Sequence, residues 1–141
     1  MEIKYRLESI AETEFRINYD FDYSKLIPEK LKVQLGHDIQ PIMDKDQVVI
    51  KVKASLVYED GEVELASNTL MMRFGLSPIK DVIFINDDET FSTHNSAIID
   101  AFLTAAVGAL RGTMMKNLKG TALEACYLPL IPAETIQGIN N

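Results

Sequence analysis

The stretch Ile98–Leu118, IIDAFLTAAVGALRGTMMKNL, decides how this chain is built. Ile99, Phe102, Leu103, Ala106, Leu110 and Met114 recur in it at steps of three and four, the spacing that gathers side chains on one side of an α-helix. Ala101, Ala105, Ala109 and Gly112 form a second stripe of small residues, open to the approach of another backbone. Gly108 and Gly112 each cost a helix about 1 kcal/mol relative to Ala, so their presence predicts tight packing or an early kink. Upstream, Ser92, Thr93, Asn95 and Ser96 are the candidate N-caps.

Everything before this helix reads as strand. Residues 3–21 alternate, with Ile3, Tyr5, Leu7, Phe15, Ile17, Tyr19 and Phe21 on one parity and mostly charged residues on the other. Successive strand side chains point to opposite faces, so one face is expected to be buried and one wet. Nineteen residues exceed an ordinary strand, which predicts a bend or bulge around Ser9–Thr13. After a connector at Ser24–Pro28, Leu31, Val33 and Leu35 alternate as a short second strand ending near Gly36. A loop through Pro41, Asp44 and Asp46 leads to a third strand with Val48, Ile50, Val52, Ala54, Leu56 and Tyr58 on one face. Asp60-Gly61 predicts a tight type I′ hairpin turn. The fourth strand, Val63–Leu76, changes its apolar parity midway, which indicates a bulge or a strand apolar on both faces. Ser77-Pro78 ends it, and Val82–Ile85 is a short apolar segment.

The chain has 141 residues, 47% hydrophobic and 25% charged, with a net charge of −7. That is an ordinary globular composition and one domain's worth of length. The acidic balance argues against nucleic-acid binding and suits solubility, or a basic or unfolded client. Cys126 is the only cysteine, which rules out an intramolecular disulfide and leaves a cytoplasmic setting as the expectation. Met1–Arg6 lacks the apolar core of a signal peptide, and the uncharged run between Asp100 and Arg111 is too short to span a membrane.

Little in the chain reads as catalysis or cofactor binding. Asp87-Asp88-Glu89 lacks the ligand spacing of a calcium loop and reads as a solvated or capping cluster. His37 and His94 have no second His or Cys at metal-ligand spacing, and there is no nucleophile elbow or phosphate loop. No enzyme activity, cofactor or metal is expected. Arg111 reads either as an interface residue, with Asp100 of a neighbouring chain as its partner, or as a snorkelling surface arginine. The tract Leu70–Phe84, with Met71 and Met72 adjacent, reads as core or as an adaptable binding surface. Leu128-Pro129-Leu130-Ile131-Pro132 reads as a lid over the sheet or the end of the core.

The order of elements, together with Arg111-Gly112-Thr113 and Leu128-Pro129-Leu130-Ile131-Pro132, resembles the SecB-type protein-export chaperones and their SecB-like relatives. The resemblance implies an α+β fold, a four-stranded antiparallel sheet with one long C-terminal helix packed on one face, forming a single domain over 1–141. It implies an ATP-independent holdase that binds unfolded or pre-export polypeptides, passes them to a translocase motor, and assembles as a homo-oligomer, dimer or tetramer. The positions matching the family's polypeptide-binding groove are Met72, Phe74, Leu76, Leu128 and Ile131. The stripe Ala101, Ala105, Ala109 and Gly112 matches its subunit contact. Two departures stand out. Met114–Tyr127 intervenes between the two motif-like segments, lengthening the helix or adding a loop, and only five residues follow Ile136, leaving the family's second helix and acidic tail missing or vestigial. The alternative reading is a scaffold or dedicated-partner protein of the same fold, associated with a toxin–antitoxin system or a mobile element.

Overall fold

The structure, a computed structural model, describes residues 2–59 and 61–126. Among these the elements run β1 (Lys4–Ile17), β2 (Leu31–Ile42), β3 (Gln47–Tyr58), β4 (Val63–Ser77), β5 (Ile83–Ile85), β6 (Phe91–Thr93) and α1 (Ser96–Leu118). The first four strands form one antiparallel sheet in the order β1-β4-β3-β2, and β5 and β6 form a small hairpin. The expected α+β architecture is therefore present. Two hairpins join β2, β3 and β4, whereas β1 pairs with the far side of β4. The β1–β2 connection must then cross the end of the sheet. Short 3₁₀ turns at Tyr23–Lys25 and Pro28–Lys30 carry it, and Phe21 packs edge-on against both Tyr23 and Tyr58 to hold it there.

β1 contains two register shifts rather than one, at Leu7/Ser9 and at Glu12/Glu14. Each inserts one unpaired residue, so parity flips after Glu8 and flips back after Thr13. Tyr5, Leu7, Ile10, Glu12, Phe15 and Ile17 consequently share one face despite their mixed numbering. β2 does not stop at Gly36: it runs on to Ile42 with Pro41 paired opposite Val48. β2 is an edge strand, where the missing N–H of a proline costs no ladder bond. Asp46, with φ 51°, closes the β2–β3 turn. The β3–β4 hairpin falls where expected, with positive φ at Glu59 (54°) and Gly61 (94°). The parity change in β4 is a bulge: Leu65 is skipped between the pairs Leu56↔Ala66 and Val57↔Glu64.

α1 packs on the two central strands, β3 and β4. It buries Ile98, Ile99, Phe102, Leu103, Ala106, Val107, Leu110, Met114 and Leu118. Phe102 is stacked on Phe74, with ring centroids 4.2 Å apart, and meets Tyr5 edge-on at 5.7 Å. Asn95 occupies the N-cap position without a side-chain cap bond. Neither Gly108 nor Gly112 ends the helix, which continues to Leu118, and among the described residues a Cβ at either site would meet nothing within 4 Å, so neither serves a tight contact within the chain. The segment after Met114 splits its roles. Its first residues lengthen the helix, then Gly120 (φ 83°) turns the chain and Leu123 returns to the core. By length and hydropathy (1.4 over its most apolar window) α1 meets the criterion for a membrane span that the run between Asp100 and Arg111 alone does not. In this fold its apolar side lies against the sheet.

The sheet thus has an inner face under α1 and an outer face on which none of the described helices or strands packs. The even-numbered residues of β3 from Val48 to Leu56, with Ala66 to Leu76 of β4, form the inner core. One polar network crosses it. The Asn68 amide, fully buried, donates to Glu12 Oε2 (2.8 Å) and to the Glu14 carbonyl (2.8 Å). Asn117 of α1 donates to Glu12 Oε2 (2.6 Å) and to Asn68 Oδ1 (3.0 Å). The outer face mixes charged and polar residues with a few apolar ones, Val49, Val57 and Met71 among them. β1 sends Lys4, Arg6 and Arg16 to it, β3 Lys51 and Lys53, β4 Arg73 and β2 Lys32.

Candidate polypeptide-binding site

α1 covers the middle of the sheet and leaves the inner side of the edge strand β1 partly bare. Tyr5, Leu7 and Ile10 stand there 56%, 47% and 50% exposed. They face inward because the first bulge of β1 rotates Ile10 onto the face of Tyr5 and Leu7. The expectation that this parity of residues 3–21 is buried therefore holds in part for Ile3, Phe15, Ile17 and Phe21, which are half-buried against the core, and fails at Tyr5, Leu7 and Tyr19, the last 83% exposed.

The helix runs beside this row. Phe102 and Asn117 reach β1 through Tyr5 and Glu12, so their side of α1 looks toward that strand. At about 100° per residue, Ala101, Ala105, Ala109 and Gly112 form the shoulder next to Phe102, above the same strand. Ala101, Ala105 and Gly112 are exposed and Ala109 is half-buried. The result is an apolar surface with large side chains on β1 and small ones on the neighbouring shoulder of α1. The stripe of small residues was legible in the sequence; the row on β1 was not recognised as a site because its alternation reads as core.

Met72, Phe74 and Leu76, expected in a groove, lie elsewhere. They are 2%, 4% and 1% exposed, beneath α1, because the even positions of the central strand β4 from Ala66 to Leu76 point at the helix. The other two groove positions, Leu128 and Ile131, lie outside the described residues. On the far flank of the helix, β2 offers a second, shallower row: Val33 is 36% exposed, and Leu35 and Ile39 are half-buried.

The titratable candidates are dispersed. His37 sits on the inner side of β2, and burial lowers its pKa while Asp38 opposes that shift. His94 is exposed and lies against the ring of Phe84. Asp87-Asp88-Glu89 forms the β5–β6 turn rather than a helix cap, and the hydroxyl and amide of Thr90 lower the Asp88 pKa. Burial raises the pKa of the Cys126 thiol, which keeps it from acting as a ready thiolate. Among the described residues no three His, Cys, Asp or Glu side chains gather in a way that holds a metal ion.

No family model and no curated protein matches this sequence. A solved structure does match the fold: the Mycobacterium tuberculosis Rv1957 SecB-like chaperone, in complex with a ChAD peptide from the Rv1956 HigA1 antitoxin. The TM-score is 0.55 at 11% identity, over 90% of this chain and 89% of that one. At that identity the likeness shows a SecB-like fold.

Proposed function

We propose that this protein is a cofactor-free, non-enzymatic chaperone that binds exposed apolar segments of other polypeptides. The observation that carries the reading is the bare row Tyr5, Leu7 and Ile10 beside the uncharged shoulder of α1. Three neighbouring large apolar side chains, each about half exposed, form a contiguous patch that water covers poorly. A client side chain settling on this surface removes apolar area from both partners, and β1, an edge strand among the described residues, offers main-chain groups beside it. That the structural neighbour holds a peptide supports polypeptide partners. Each contact is small, so a homo-oligomer presenting several such surfaces would gain avidity, and the stripe Ala101, Ala105, Ala109 and Gly112 fits a contact between copies. A cytoplasmic site of action, and transfer of pre-export clients to a translocase motor, belong to the same proposal.

A second reading has its own support. The peptide held by the neighbour comes from an antitoxin, which favours a dedicated partner over broad client binding. Client breadth separates the two. Light scattering gives the mass of the protein alone and after adding a reduced, unfolded client at equal concentration, without nucleotide. The chaperone reading expects a discrete complex and suppressed aggregation with several unrelated clients, both lost in Leu7→Glu. Indifference to every client with the fold intact would sink it and leave the dedicated partner.

A further inference from the structure

The outer face of the sheet carries a charge opposite to that of the chain as a whole. Seven of the fourteen Lys and Arg residues point to it: Lys4, Arg6, Arg16, Lys32, Lys51, Lys53 and Arg73. Four of the twenty-one Asp and Glu residues do so: Glu8, Glu14, Asp38 and Glu64. That face is net +3, which leaves −10 for the rest of a chain whose total is −7. Its carboxylates are already engaged where the cations crowd. Glu14 takes Arg16 at 3.0 Å and Lys53 at 3.6 Å, and Glu8 takes Arg6 at 3.4 Å and the Gln47 amide at 2.8 Å. Among the described residues no such bond ties Lys4 or Lys51 to a carboxylate, and Asp38 stands directly opposite Lys51 in the ladder.

The face also has a recess. Gly75 has no side chain where the Glu8 carboxylate comes within 3.1 Å of a Cβ position, and a cleft of about 330 Å³ opens there. Lys4, Arg6 and Lys45 line it with Glu8 and Asp46. The Asp46 carboxylate accepts from the Ile79 N–H at 3.2 Å and Glu8 pairs with Arg6, so the lining carries three cations to two carboxylates, a net charge of +1.

We propose that the outer face of the sheet is a docking surface for an acidic polypeptide segment of a second protein, with Lys4, Arg6 and Lys51 as its principal contacts. The chemistry selects this occupant. A nucleic acid fits poorly, because the face carries no aromatic side chain for base stacking and its carboxylates interrupt any continuous phosphate track. A second copy placing an acidic surface on this face would make a head-to-tail contact, which builds rings or filaments rather than a two-fold dimer. Spaced Glu and Asp side chains on an extended segment match a flat, mixed-charge surface with a net positive field. The charged face lies on the opposite side of the sheet from the apolar row, meeting it only at Tyr5, which also lines the cleft, and docking there is independent of the chaperone reading.

Fluorescence anisotropy of a short Glu/Asp-rich peptide against the whole protein tests the proposal. We expect binding that weakens as salt rises from about 50 to about 300 mM, because screening shortens the reach of surface charges. Arg6→Gln/Lys51→Gln should lower the affinity by roughly tenfold with an unchanged circular dichroism spectrum. Lys116→Gln/Lys119→Gln, which removes two charges at the end of α1, should leave it unchanged. Absence of binding, or equal binding by the Arg6/Lys51 variant, overturns the proposal. So does tighter binding of a single-stranded oligonucleotide of the same length. Client protection measured on the same variant reads out the apolar row separately, so a failure there is distinguishable from a failure here.

Discussion

The inner and outer faces of one sheet are made by the same strands and behave as different materials. On the inner face Val48, Ile50 and Val52 of β3 are fully buried, whereas Lys51 and Lys53, their immediate neighbours, are exposed. The inner face holds the fold together through packing and ends in an exposed apolar row at β1. The outer face contributes little packing and concentrates positive charge. Alternation produces most of this division; Val49, Val57 and Thr69 are buried on the outer face, and Tyr5, Leu7 and Ile10 are exposed on the inner one.

That contrast is open to direct attack. The deepest inner-face anchor is Phe102, stacked on Phe74 and touching Tyr5; Phe102→Ala should cost about 3–5 kcal/mol in chemical denaturation. Asn68→Ala should cost about 1–3 kcal/mol, because it strips Glu12 and Asn117 of a partner inside the interface. Gly112→Ala adds a methyl group to open space and should stabilise the isolated chain by about 1 kcal/mol. If another copy packs on that shoulder, the same substitution lowers the association constant, and light scattering against concentration shows which happens. His37 introduces a pH term. Its folded pKa lies below the ordinary value, so the unfolded chain takes up its proton first. The stability it contributes is complete above the unfolded pKa and declines as pH falls through 6.5 toward the folded value, and thermal melts of His37→Gln should lose that dependence. The smallest effect belongs to the outer face: Lys53→Ala breaks a 3.6 Å pair with Glu14 that is half exposed, and should change stability by less than about 1 kcal/mol.

Much of this was legible in the residues. The helix, its buried stripe, the β3–β4 hairpin and the β4 bulge follow from periodicity and turn chemistry, which are local properties. What escaped was relational. Glycine and proline in β2 read as a stop because nothing local says the strand is at an edge, where Pro41 is harmless. The two bulges of β1 cancel, so its parity appears continuous across nineteen residues while Ile10 and Glu12 have changed faces. Met72, Phe74 and Leu76 were assigned to a groove by resemblance, and only the sheet order reveals that β4 is central and lies beneath α1. The exposed row on β1 has the composition of a core strand, and its exposure depends on where the helix lies. Asn68 and Asn117 are 49 positions apart, and no pattern in the chain connects them.

The paired bulges have a further consequence for how this molecule behaves in crowded solution. Among the described residues β1 is an edge strand, and an unbroken edge of fourteen residues would be a template for runaway stacking of one chain on the next. Glu8 and Thr13 divide it into Lys4–Leu7, Ser9–Glu12 and Glu14–Ile17. Each run is four residues long, shorter than the six or seven that sustain a fibrillar zipper. An incoming strand therefore finds short, mutually kinked footholds, and the edge can stay sticky toward a visiting chain without nucleating a fibre.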